Sequence, residues 1–320
     1  MGMNNPLAVK QTVQTKSKFH FLKREIIRNK YVYLMLVPVL LFYLIFCYGP
    51  MYGILLSFQS GYSPAKGIMG GNWIGFENFT MFFESYNFWR LMGNTLILSV
   101  LSLVIGFPAP IILALLLNEV RNRYFKNAVQ TVSYLPHFIS VVVVVGMLKT
   151  FSSLDGGLFN IVRGFFGFEH IMFFTDKDMF RPLYILSNVW QGAGWASILF
   201  LAALAGINSQ LYEAAKMDGA NRWRQLLHIT LPGIMPTIVV LLILRMGSIM
   251  NADFQKILLM QTAATYETSD VISTFVYRQG MLLGDQAYST AIGLFNSIIN
   301  FALLLGANYI SRKANETSLW

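Results

Sequence analysis

Apolar residues gather along this chain into six blocks of bilayer-crossing length, at 32–58, 93–117, 130–148, 184–206, 233–250 and 289–310. About 20 predominantly apolar residues suffice for a helix to span the hydrocarbon layer. The pattern therefore predicts an all-α, polytopic membrane protein with about six transmembrane helices. Within three blocks, small and polar residues recur at helical spacing: Thr95, Ser99, Ser102 and Gly106; Asn188, Gln191 and Trp195; Ser289, Gly293, Asn296 and Asn300. Such faces turn away from acyl chains. They serve either helix–helix packing or a water-accessible path for a polar solute, and both readings imply a bundle with a polar interior.

Composition agrees with this picture. The 320 residues are 55% hydrophobic and 12% charged, against about 25% charged in an ordinary soluble domain. The formal charge of +9 is read through topology. With the N-terminus in the cytoplasm, the inner side receives Lys10, Lys16, Lys18, Lys23, Arg24, Arg28 and Lys30. It also receives Arg121, Arg123, Lys126, Lys216, Arg222, Arg224, Arg312 and Lys313, so that most of the 24 basic residues lie inside, as the positive-inside rule requires. Both termini are thus expected in the cytoplasm. No basic face is left free for nucleic acid. The first apolar block is too long for a cleaved signal core, and Cys47, the single cysteine, excludes an internal disulfide and a cysteine-based metal cluster.

The chain is accordingly divided into a basic tail (1–30), a first transmembrane helix with an outer loop (31–92), a transmembrane core (93–310) and a short C-terminal tail (311–320). The segments 149–183 and 251–288 are expected as long outer loops, and Pro136-His137 marks a kink in the third span. No GxxxxGK[ST] loop and no HExxH spacing occurs, the four histidines are scattered, and no catalytic group or metal site can be assembled.

One connector is conspicuous. EAAKMDGANRWRQLLHITLPG, Glu213 to Gly233, lies between two apolar blocks yet is polar, basic and rich in helix formers. Asn208 and Ser209 can cap a first short helix, Gly219 is placed as its C-terminal stop, and ANRWRQLLHIT forms a second that Leu231-Pro232 ends before the fifth span. The result is a rigid cytoplasmic elbow whose small side chains suit a groove on another protein.

Glu213-Ala214-Ala215, then Gly219, then Ile229-x-Leu231-Pro232 resemble the EAA motif of ABC importer permeases, EAA-x3-G-x9-I-x-LP. ALLLNEVRNRYFKNAVQTVSYLPHFIS (114–140) and YETSDVISTFVYRQG (266–280) resemble the oligosaccharide and polysaccharide branch, which includes alginate and rhamnogalacturonan importers. The resemblance implies a type I importer permease of maltose-permease-like architecture in a bacterial cell membrane. It implies a second, similar permease, two cytoplasmic ATPases that use ATP and Mg and grip the loop 208–232, and an extracytoplasmic solute-binding protein that delivers the sugar. The chain itself would bind no cofactor and perform no chemistry. Contact with the ATPases falls to Glu213, Ala214, Ala215, Asp218, Gly219, Leu231 and Pro232.

Substrate-path candidates are Asn188, Trp190, Gln191, Trp195, Arg245, Asn296 and Asn300. Trp190 and Trp195 can stack on a pyranose while Gln191 satisfies hydroxyls, or they can simply pack. Arg245 costs about 2.5–3.5 kcal/mol if held at a helix centre. It either snorkels to water or offers a planar donor to an acidic sugar. Another polar cargo (a polyamine, phosphate or sugar phosphate) stays open within the same family. An ion-coupled secondary transporter is the rival from another class, against which stands the lack of Asp or Glu in any span.

Overall fold

The structure is a computed structural model that describes residues 28–315. The expectations for 1–27 of the basic tail and for 316–320 lie outside the described residues. The chain divides into two compact units, Met1–Ile54 and Leu55–Trp320. The first holds most of an apolar helical run, Lys30–Phe58, which widens to a π turn over Tyr43–Tyr48.

In the second unit, a short antiparallel hairpin pairs Gln59 with Trp73 and Ser60 with Asn72. Asn78 secures its first strand by donating to the carbonyls of Ser57 and Gln59 at 3.0 and 2.9 Å. Four unbroken helical spans follow among the described residues: Phe88–Glu119, Lys177–Ala205, Arg222–Met246 and Gln286–Lys313. Three of the four begin well before the apolar block that announced them, because the helix continues through its polar shoulder to a capping residue. Asp176 caps the fourth span by accepting from the amide of Asp178 at 2.8 Å.

The remaining span is broken. Arg123–Phe138 and Val141–Phe151 meet at 102°, where the sequence suggested a kinked but continuous helix. Ile139 is extended, and Ser140 caps a new helix by accepting from the Val143 amide. The released Ile139 carbonyl accepts from Gln191 Nε2 at 2.9 Å, so the fourth span replaces the helical bond lost at the break.

The segment expected as a surface loop after the fifth span is folded into the bundle. Its short helices, Phe254–Met260, Tyr266–Ser269 and Ile272–Tyr277, bury Ile257, Met260, Val271, Ile272 and Phe275. These side chains complete two apolar clusters. One joins Leu98, Val145, Tyr184 and Ile257, and the other Leu91, Met250, Phe275 and Ile292. A third cluster, Ala114, Phe200, Leu204 and Ile234, ties the second, fourth and fifth spans. In lipid the gain here is close packing rather than escape from water. Gly194 illustrates it: a Cβ there would overlap the Ser133 carbonyl oxygen.

Candidate functional site

The connector begins where the fourth span stops at Ala205. Asn208 Oδ1 accepts from the Gln210 amide at 2.9 Å and starts the helix Ser209–Met217. Gly219 ends it at φ +76°, a conformation that costs an L side chain about 1–2 kcal/mol. Its amide donates to Lys216 O at 3.1 Å and that of Ala220 to Ala215 O at 2.8 Å, the paired bonds of a Schellman stop. Asn221 then caps the next helix through the Arg224 amide at 2.9 Å.

This second helix does not end at Leu231-Pro232, as the sequence suggested. It runs unbroken from Arg222 to Met246 as the fifth span. Leu226–Thr230 form a π turn immediately before Leu231 and Pro232. The longer bonding span of that turn accommodates a proline, which has no N–H to donate and would break a regular helix. Consequently the second half of the elbow is one helix with the fifth span, and the first half, Ser209–Met217, joins it through the Gly219 stop.

Three contacts brace the elbow. The hydroxyls of Tyr212 and Thr230 meet at 3.0 Å. Gln225 Nε2 donates to Ala220 O at 2.8 Å. Arg222 reaches Glu119 at the end of the second span at 2.6 Å, a pair exposed enough to be screened. Glu213, Ala214, Asp218 and Gly219 are exposed and Ala215 is half-buried. Met217 and Trp223, 89% and 72% exposed, flank them with apolar surface. Leu231 is half-buried and Pro232 exposed, both at the start of the span rather than on the elbow's tip.

A second feature is a cavity of about 700 Å³. Its wall is supplied by Ser99, Ser102 and Gly106 of the second span, His137 at the break, Asn188 and Gln191 of the fourth span, and Arg245 and Asn251. The stripe on the second span therefore divides. Thr95 packs, accepting from the Ile272 amide at 3.0 Å. Ser99 both lines the cavity and donates to Ile249 O at 2.6 Å.

Of the substrate-path candidates, Asn188, Gln191 and Arg245 come together on this wall. Arg245 is exposed and makes no ion pair among the described residues. Asn296 and Asn300 stand behind the wall. Both donate to Asn251 Oδ1, at 2.8 and 3.1 Å, and Asn300 Oδ1 accepts from the Met250 amide at 3.0 Å. They hold the lining rather than form it. Trp195 stacks on His137 with centroids 4.7 Å apart. Trp190 lies elsewhere, in an apolar groove with Phe151 and Phe159, because it points one helical step away from Gln191.

The sequence did not announce Lys256, which it assigned to an outer loop. Its side chain is fully buried. Its Nζ donates to Asn188 Oδ1 at 2.7 Å and to Gln191 Oε1 at 3.0 Å. Burial pushes this ammonium down to about 8, and the carboxylate of Asp253 partly offsets the shift. Asp253 caps the same helix through the Lys256 amide, and its own amide donates to Tyr184 Oη at 3.0 Å.

Asp270 was missed for the same reason. It is fully buried and receives Arg278 at 2.7 Å, Arg90 at 3.3 Å and the Thr274 hydroxyl at 3.1 Å. Asn94, which donates to the Asp270 carbonyl at 3.0 Å, accepts from Arg181 at 2.8 Å. The only signal available in the sequence was the run of Asp, Thr and Arg between apolar residues over 270–278.

A bent multi-span bundle with a capped, exposed EAA elbow defines an importer permease fold. The chain belongs to the family of inner membrane components of binding-protein-dependent transport systems, whose pattern it matches over residues 106–316. It is 46% identical over 294 residues to Protein LplB of Bacillus subtilis (strain 168), covering 92% of each chain. It is 44% identical over 313 residues to the polygalacturonan/rhamnogalacturonan transport system permease protein YteP of the same organism, covering 98% of this chain and 97% of that one. Among solved structures it is similar, at 44% identity and TM-score 0.86, to a chain of a bacterial ABC transporter involved in the import of the acidic polysaccharide alginate. That match covers 92% of this chain and 99% of the other. An equal match is to the alginate transporter in complex with an alginate pentasaccharide-bound periplasmic protein.

Proposed function

We propose that this chain is one permease subunit of an ATP-driven importer of oligosaccharides, with acidic, polysaccharide-derived ones as the favoured cargo. The observation that carries the reading is the elbow: the EAA residues stand exposed on a Schellman-capped helix that is braced, through the turn at Gly219 and the Tyr212–Thr230 contact, against the helix that runs on as the fifth span. A push on Glu213 to Gly219 is thereby delivered to a membrane-crossing rod. Force of this kind comes from two separate ATPases that bind ATP and Mg on the cytoplasmic side, where the basic loops also put both termini. The chain binds no nucleotide and performs no chemistry. ATP binding favours one of two bundle states and hydrolysis the other, which is alternating access by differential stabilisation.

The cavity is one half of the path, and a second, similar permease supplies the other half. An extracytoplasmic binding protein, as in the complex formed by the alginate transporter, loads it. Acidic cargo is favoured because YteP is named for polygalacturonan/rhamnogalacturonan and the alginate transporter for an acidic polysaccharide, and because Arg245, exposed and in no ion pair among the described residues, lines the cavity. Uptake assays with the cognate binding protein and a panel of galacturonate, alginate and neutral oligosaccharides test the cargo. Competition by the uronates alone is expected, and competition by a polyamine or a sugar phosphate instead would refute it.

A further inference from the structure

The buried ammonium of Lys256 donates to two amide oxygens, a role that a neutral donor could fill without the charge. It sits on the helix Phe254–Met260 with the fully buried Ile257 and Met260 as neighbours. Among the described residues no carboxylate pairs with it. Its two partners are the neutral amide oxygens of Asn188 and Gln191. A charge taken out of water and left without a counter-ion is costly, and a methionine here would pack without that cost. The charge is therefore expected to act on something outside its own shell.

What lies beyond that shell is the cavity. Asn188 and Gln191 belong to its wall, so a layer one side chain thick separates the ammonium from the path. The wall carries a second cation, Arg245, and a single carboxylate, Asp253. Asp253 caps the Lys256 helix and its charge offsets part of the ammonium's, so that two cations face one carboxylate. In a cleft with low-dielectric walls, such an imbalance concentrates positive potential in the cleft itself.

We propose that Lys256 is a specificity-determining residue: its buried, unpaired ammonium, held by Asn188 and Gln191 behind the cavity wall, makes this half of the path selective for anionic over neutral oligosaccharides. This rests on the carbohydrate reading above and assigns the selectivity to a residue that does not touch cargo. The ammonium acts through its field, while Arg245 offers the direct donor.

The test uses the complete importer in nanodiscs, without its binding protein, and measures equilibrium binding of trigalacturonate and of the same trisaccharide with its carboxylates reduced to alcohols. Wild type should prefer the acid by roughly tenfold or more. Lys256→Met should remove most of that preference and leave affinity for the neutral sugar unchanged. Lys256→Gln offers a second route, since a neutral amide can still donate to Asn188 and Gln191 and keep the helix pinned, and it should reduce the preference likewise. If both variants retain the wild-type ratio, Lys256 only fastens its helix and the proposal is overturned. If Lys256→Met fails to assemble, Lys256→Gln decides alone. Should the assembled wild type bind neither trisaccharide, the carbohydrate reading fails first and the selectivity falls with it.

Discussion

Tyr212 and Thr230 face each other across the connector, hydroxyl to hydroxyl at 3.0 Å. One lies on the helix that bears the EAA residues and the other in the π turn that opens the fifth span. Thr230 is buried, so the bond forms away from most competing water. In the proposed mechanism this bond sets the angle at which a push on the elbow reaches the membrane. Removing it costs on the order of 1 kcal/mol, too little to unfold the chain. Tyr212→Phe should therefore leave assembly intact while lowering transport per ATP hydrolysed several-fold. Simultaneous assay of ATPase activity and uptake in proteoliposomes checks this, and an unchanged ratio would remove the bracing role.

Gly219 has a separate part. Its φ of +76° suits glycine, and asparagine adopts it at lower cost than other L residues. Nothing lies within 4 Å of the position a Cβ would take, so a substitution acts through the backbone alone. Gly219→Ala should cost about 1–2 kcal/mol of local stability, displace the elbow and lower uptake. Gly219→Asn should recover part of it. Equal loss in both variants would point to a contact at this position rather than to conformation.

Asp270 is the one carboxylate shared by Arg90 and Arg278. Breaking a buried pair by deleting one partner typically costs about 3–5 kcal/mol, because the remaining charge is stranded. Asp270→Asn strands two guanidinium groups and should lower the thermal midpoint of the purified subunit by many degrees, as read by tryptophan fluorescence or thermofluor. A midpoint within a degree or two of wild type would mean that the cluster is solvated.

Lys256 carries a pH signature whose sign follows from its depressed value. Its ordinary value is 10.5, and burial brings it to about 8. The folded state thus holds this proton less tightly than the unfolded chain, so stability rises with pH wherever the unfolded chain binds more protons. The cost is fully present below about pH 8 and is relieved between there and 10.5. The thermal midpoint of wild type should climb relative to that of Lys256→Met over this window. Parallel profiles would show the lysine to be water-exposed.

The spans, the kink near Pro136 and the elbow were legible in the sequence because each rests on local chemistry: apolar run length, a proline, a capping asparagine and a glycine with positive φ. The 102° break at Ile139 was not, since the bond that replaces its lost helical partner comes from Gln191, far along the chain. Nor was the π turn at Leu226–Thr230, because Leu231-Pro232 read as a helix end rather than as a proline carried by a wider turn. Lys256 and Asp270 escaped for a related reason. A charged residue between spans reads as solvated unless one knows that its loop folds back into the bundle. The asparagines of the sixth span were read as candidate lining, whereas Asn251, a residue in no stripe, takes their amides and stands at the cavity itself.

We propose that ATPases move this subunit by acting on its elbow. The direct measurement is uphill oligosaccharide uptake into proteoliposomes holding this chain alone, or with its partner permease, ATPases and binding protein. Accumulation should occur only in the full assembly with ATP, and should be lost when Glu213 and Gly219 are replaced although the ATPases still hydrolyse. Uphill accumulation by the chain alone, without nucleotide, would contradict the account.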